Sequence, residues 1–384
     1  MRESSARAAV TTVFLLHGTL FGTWAARIPA VKEDLGLSTG ELGLALLFTT
    51  LGGLVAMPVA GWIVAREGSR TTARQALVLF ALLLPALALA PSLPTLAVAL
   101  LLFGAAAGAL DVAMNAHGLA VERLYARPIL SSFHAGWSFG GLIGAGVGAI
   151  AAAAGLEPLP HFVLVTFVVV PVGLAASGRL LPNAADRPPE PLRLRRPPRR
   201  LAALAVLAFC GLFAEGVVAD WSAVYLDEPL GAGEAVAALG FAAFSIAMAA
   251  GRLVGDRLTL RWGPSALTRR GGLLAGGALA VALVVGAPPL AIVAFGCMGL
   301  GLAAFVPVVF RAAGSLPGLP AGMGIAALTT VGYTAFLVGP PAIGFAAQVV
   351  GLPTALGLVV ALLAVLVVLA PQTAPSAPAA PQPL

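Results

Sequence analysis

Apolar runs of about twenty residues recur along this chain with only short polar interruptions, and a run of that length and hydrophobicity is what a membrane-crossing helix requires. Charged residues make up only 10% of the 384, against 59% hydrophobic, and the mean hydropathy is +0.99. A soluble domain covers its surface with roughly 25% charged residues. This chain lacks them, so its outer face must meet lipid. Twelve spans are read at 8–29, 42–64, 73–91, 94–119, 129–154, 159–181, 201–226, 236–257, 271–287, 289–311, 322–347 and 352–370. The expected fold class is an all-α integral membrane protein of about twelve transmembrane helices, with the lipid bilayer as its solvent.

The first run follows basic residues and so resembles a secretory leader. No small-residue cleavage site closes it, and it continues to full span length, so it is read as a retained first span. Residues 182–200 are rich in Pro and Arg and read as a linker. Residues 371–384 are rich in Pro and Ala and read as a disordered tail. Cys210 and Cys297 sit inside apolar runs with no metal-binding spacing, and are expected to be packing residues.

The basic residues give an orientation, because short loops rich in Lys and Arg stay in the cytoplasm. With the N-terminus inside, 20 of the 22 fall on the cytoplasmic side, at 2–7, 66–74, 123–127, 179–200, 252–270 and 311. Only Arg27 and Lys32 fall outside. Both termini are therefore expected in the cytoplasm of a cell whose inner membrane holds the protein. The pI of about 10.3 reads as a topology signal and not as a sign of a nucleic-acid partner.

Two landmarks recur. Trp24 and Leu42-Gly43 are matched by Trp221 and Leu239-Gly240 at a single offset of 197 residues. After the second span the chain reads Gly61-Trp-Ile-Val-Ala65-Arg66-Glu67-Gly68-Ser69-Arg70. A glycine lets helices pack closely, a second allows a tight turn, and the arginines anchor the turn at an anionic surface. This stretch resembles the major facilitator signature G-x-x-x-D-R-x-G-R-R, with Ala65 where the family has aspartate. After the eighth span, Gly251-Arg252-Leu-Val-Gly255-Asp256-Arg257 is read as its second copy, with the Asp-Arg pair present. The resemblance implies two six-helix bundles: 1–181, the 182–200 cytoplasmic linker, 201–370, and the 371–384 cytoplasmic tail. Three segments, Phe21 to Pro29, Asp111 to Asn115 and Phe133 to Gly141, look like the YbjJ-type inner-membrane branch, distantly similar to fucose–proton symporters. In the fifth span, Gly136, Gly140 and Gly144 match a drug-antiporter motif whose proline is replaced by Gly141 and whose last glycine is replaced by Ala145, and ordinary small-residue packing explains them as well.

Ionisable groups in hydrocarbon cost at least about 2.5–3.5 kcal/mol each on insertion scales, so each needs a reason. Gly104, Gly108, Asp111 and Asn115 share one helix face. Glu215 lies near the middle of its span. A lone charged carboxyl in low dielectric is costly, so proton uptake becomes competitive. Asp111, Glu215 and His17 are the proton-coupling candidates. Asn115, His134, Trp137, Ser138, Trp24, Asp220, Trp221, Thr329 and Tyr333 are the substrate-cavity candidates, with Trp24 and Trp221 equally suited to an interfacial belt. Gly61, Arg66, Gly68, Arg70, Gly255, Asp256 and Arg257 form the expected gating loops. Gly339-Pro340-Pro341 is expected to break or kink the eleventh span.

No phosphate-binding Walker loop is present, so ATP is not the expected driver. No HExxH or GxSxG motif points to an enzyme, and neither a cofactor nor a metal is expected. With no Lys or Arg read near a midplane, a neutral or weakly charged solute is favoured. The expectation is a monomeric secondary transporter working by alternating access. Sugar-like uptake with protons is favoured; efflux of amphiphiles against protons is the alternative, and a non-transporting receptor or scaffold is a third reading.

Overall fold

The computed structural model describes residues 2–37, 39–185, 198–232 and 234–375. Among them there are helices and turns and no strand. In hydrocarbon every backbone N–H and C=O must be satisfied within the protein, and helices do so segment by segment. The helices are α1 (Arg2–Asp34), α2 (Thr39–Glu67), α3 (Ser69–Ala88), α4 (Leu93–Tyr125), α5 (Leu130–Ala153), α6 (Pro158–Gly178), α7 (Arg199–Asp227), α8 (Glu234–Trp262), α9 (Pro264–Val285), α10 (Pro288–Leu302), α11 (Phe305–Gly314), α12 (Ala321–Val350) and α13 (Leu352–Leu369). Helices α10 and α11 together make one span, so twelve candidate membrane spans result. Large apolar side chains stay outward, with Val284 87% exposed, as lipid-facing surfaces require.

Two compact units emerge: Met1–Arg193 with Ile325–Thr330, and Leu194–Gly324 with Val331–Leu384. In the first, glycines bring backbones together. A Cβ on Gly140 would lie 1.9 Å from the Leu15 carbonyl oxygen, and one on Gly144 2.1 Å from that of Thr19. Gly18 and Gly22 of α1 close on Trp137 and Gly141 in return. The glycines of the fifth span are therefore the α1–α5 seam, and helix packing accounts for them. Helix α4 meets α2 the same way, through Gly104 on Thr49 and Gly108 on Gly53.

The second unit repeats this device. Gly299 of α10 lies against the Phe244 carbonyl of α8, and both members of this pair sit 195 residues after Gly104 and Thr49. The turn glycines obey the same shift. Gly68 (φ +91°) precedes α3 and Gly263 (φ +77°) precedes α9. This register corrects the reading of the second gating loop. Gly255, Asp256 and Arg257 lie inside α8, with Asp256 seven residues, or about 10 Å of helix, before the turn. The true counterpart of Ala65-Arg66-Glu67-Gly68 is Leu260-Arg261-Trp262-Gly263. The offset of 197 came from Leu-Gly pairs that are common in so biased a sequence.

Helix α12 runs unbroken through Pro340 and Pro341. The break falls in the tenth span instead, at Ala303-Ala304. Pro307 lacks the N–H that would bond the Ala303 carbonyl, and its ring crowds that oxygen. The tail also begins in order: Ala370–Thr373 is a 3₁₀ turn, and Arg200 donates to the carbonyls of Gln372 and Ala374. Residues 376–384 and most of the 182–200 linker lie outside the described residues.

Candidate functional site

The polar face of α4 meets α5 inside the first unit. Asn115 Nδ2 donates to Asp111 Oδ1 at 3.1 Å and to the Asp111 carbonyl at 2.8 Å. Asn115 Oδ1 in turn accepts from His134 Nε2 at 3.1 Å. All three residues are buried. A carboxyl, an amide and an imidazole thus form one hydrogen-bonded row, Asp111–Asn115–His134. One turn along α5, Trp137 Nε1 donates to His17 Nδ1 of α1 at 2.8 Å. Ser138 donates back to the His134 carbonyl, and both Trp137 and Ser138 remain partly exposed.

Aromatic rings wall this row. His17 lies 5.3 Å from Phe21 and 5.3 Å from Phe80, and Phe80 meets Phe103 at 4.4 Å with the two rings tilted. His134 meets Phe14 edge-on. Phe80 and Phe103 were not singled out from sequence, because a lone phenylalanine in an apolar span carries no positional signal. The row can pass a proton or offer donors and acceptors to hydroxyl groups, while the rings offer flat apolar faces.

The second unit holds a different arrangement. Glu215 of α7 faces Arg252 of α8 at 3.9 Å, with the Arg252 side chain 9% exposed and that of Glu215 26%. Glu215 is therefore not a lone carboxylate. Arg252 stands ten residues, or about 15 Å, before the end of α8, roughly half the depth of a ~30 Å hydrocarbon core. This overturns the reading that no cation lies near a midplane, and with it the argument for a neutral solute. Arg252 was grouped with the cytoplasmic arginines because hydropathy falls there. The Gly263-Pro264 turn was the sequence signal that α8 runs further.

Trp24 is buried against Phe162, so it is a packing residue and not part of an interfacial belt. Asp220 is exposed near the end of α7, and Trp221 is half-buried beside Gly344. Thr329 is buried and bonds back to its own helix at the Ile325 and Ala326 carbonyls. Tyr333 packs edge-on to Phe336.

The first gating loop is docked through atoms other than a carboxylate at residue 65. Ser69 Oγ pairs with His117 Nδ1 at 2.7 Å, and the Leu181 N–H donates to His117 Nε2 at 3.0 Å. Nε2 accepts, so Nδ1 carries the proton. Arg70 donates to the Gly178 carbonyl, and Asn183 exchanges bonds with Thr71. The turn is thereby tied to the end of α6. Gly61 is buried in α2, and exposed Arg66 lies over the Trp62 ring at 4.6 Å.

Comparison with known proteins agrees with this architecture. The profile of the Major Facilitator Superfamily matches residues 9–340. An MFS-type transporter of Yersinia pestis is 36% identical over 94% of this chain and 93% of its own length. Membrane protein MosC of Rhizobium meliloti is 32% identical over 92% of this chain and 86% of its own. Among solved structures, the E. coli fucose:proton symporter FucP superposes with a TM-score of 0.75 at 16% identity, covering 96% of this chain and 98% of that one. The proton:xylose symporter XylE gives 0.70 at 12%, covering 95% of each. The matching family and the relatives with printed roles are those of membrane transporters. The chain belongs to the Major Facilitator Superfamily and is a multi-pass membrane transporter.

Proposed function

We propose that this transporter moves a small, sugar-like polar solute together with protons, by alternating access, in the inner membrane with both termini cytoplasmic. The observation that carries the reading is the Asp111–Asn115–His134 row beside the His17–Trp137 pair. A hydroxylated ring needs donors and acceptors around its edge and apolar surface on its faces. The row supplies the first, and the partly exposed Trp137 and Phe21 supply the second. A buried carboxyl in such a row is suited to gain and lose a proton. FucP, a fucose:proton symporter, and XylE, a proton:xylose symporter, share this fold. The solute's charge is left open by the Glu215–Arg252 pair.

The test is a solute screen on proteoliposomes by solid-supported-membrane current, using hexoses, pentoses, polyols and amphiphilic cations. Currents with hydroxylated solutes that vanish in Asp111→Asn support the reading. Currents confined to amphiphilic cations overturn it in favour of efflux.

A further inference from the structure

Asp256 is the last acidic residue of the sequence, yet Arg257, Arg261, Arg269, Arg270 and Arg311 follow it. Four of these arginines flank the α8–α9 turn, all exposed. Trp262 at the turn is 38% exposed and lies under the Arg270 guanidinium at 4.6 Å. The α2–α3 turn differs, because Glu67 stands among Arg66, Arg70 and Arg74.

A groove of about 370 Å³ continues from this cationic end. Helix α9 lines it with Leu273, Leu274, Gly277 and Val281, and α10 closes it with Leu290 and Val293. Residues 270, 273, 274, 277 and 281 follow the three–four spacing of one helix face, so Arg270 stands at the head of the apolar stripe. From Arg270 to Val281 is eleven residues, or about 16 Å, close to the ~15 Å of one leaflet's hydrocarbon. Gly277 is the floor: a Cβ there would meet nothing within 4 Å. A second copy packed on this same face would set its exposed turn arginines against these.

We infer that the α9 face binds an anionic phospholipid, its phosphate held by Arg269 and Arg270 and one acyl chain lying along the Leu273–Val281 groove. A phosphate monoanion matches the uncompensated guanidinium charge, and Trp262 suits the headgroup level. An acyl chain matches a groove lined by alkyl side chains. Either half alone is ordinary on a membrane protein; their alignment on one helix face makes a site.

The experiment is native mass spectrometry of the full chain released from a neutral detergent, titrated with dioleoyl phosphatidylglycerol or dioleoyl phosphatidylcholine. The unaltered protein should hold phosphatidylglycerol in preference to phosphatidylcholine. R269Q/R270Q should lose that preference, with phosphatidylglycerol binding roughly 10- to 30-fold weaker. Gly277→Leu, whose Cβ enters open space, should fill the groove and lower occupancy by both lipids, and Val281→Trp provides a second obstruction on the same face. Glycerol phosphate, which has the headgroup charge and no tail, should not compete. Unchanged preference in R269Q/R270Q, or unchanged occupancy in both groove variants, overturns the site. Competition by glycerol phosphate assigns the arginines to a free phosphate instead. A lipid-free dimer that Gly277→Leu dissociates assigns the groove to a second copy.

Discussion

The Trp137 indole N–H donates to His17 Nδ1 across 2.8 Å, joining α5 to α1 one turn from the point where His134 donates to Asn115 of α4. The α1–α5 seam that makes this possible is backbone against backbone, with Gly140 and Gly144 leaving no room for a side chain. A polar row and a glycine seam thus depend on each other.

The seam is tested by paired substitutions in one helix. Gly144→Ala puts a methyl 2.1 Å from the Thr19 carbonyl oxygen, whereas Gly146 has nothing within 4 Å. Overpacking costs typically about 1–3 kcal/mol. Gly144→Ala should lower the thermal midpoint of the detergent-solubilised protein, and Gly146→Ala should leave it unchanged. Equal midpoints would contradict the seam.

The His17–Trp137 bond is tested by Trp137→Phe, which keeps the ring and removes the donor. A buried acceptor left unsatisfied costs about 1–3 kcal/mol. The thermal midpoint should fall in Trp137→Phe. His17→Phe combined with Trp137→Phe should cost less than the two single changes added together. Additive effects would show that the two side chains do not interact.

Much of this was legible from sequence, and the reasons differ between elements. Span length and charge scarcity report burial in lipid directly, so the twelve helices could be counted. Asp111 and Asn115 could be placed on one face because helical spacing is rigid. The partnership of Glu215 with Arg252 could not, because it joins residues 37 positions apart on two different helices. Nor could the end of α8, since Arg252, Asp256 and Arg257 imitate a loop composition inside a helix. The helix break at Ala303-Ala304 hinged on one proline among many that do not break their helices.

That ion pair has its own consequence. The pair is only partly buried, Glu215 being 26% exposed, so removing Arg252 strands a carboxylate at up to about 3 kcal/mol. Arg252→Leu alone should therefore destabilise the protein strongly, and Glu215→Leu combined with Arg252→Leu should recover part of the loss. Thermal unfolding of the purified variants measures this. A double variant no better than Arg252→Leu would show that Glu215 is not the significant partner.

Orientation follows from the arginines. Reporter fusions at Arg195 and after Leu384 should both report cytoplasm. A periplasmic signal at Arg195 would invert the proposed topology.

Proton coupling is tested most directly by comparing two modes of transport in the same proteoliposomes, using a hydroxylated solute that gives a current with the unaltered protein. If Asp111 carries the coupling proton, Asp111→Asn mimics its protonated state. Accumulation driven by a pH gradient should then be lost, while counterflow exchange, which needs no net proton movement, should persist. Gradient-driven accumulation by Asp111→Asn equal to that of the unaltered protein would contradict the account.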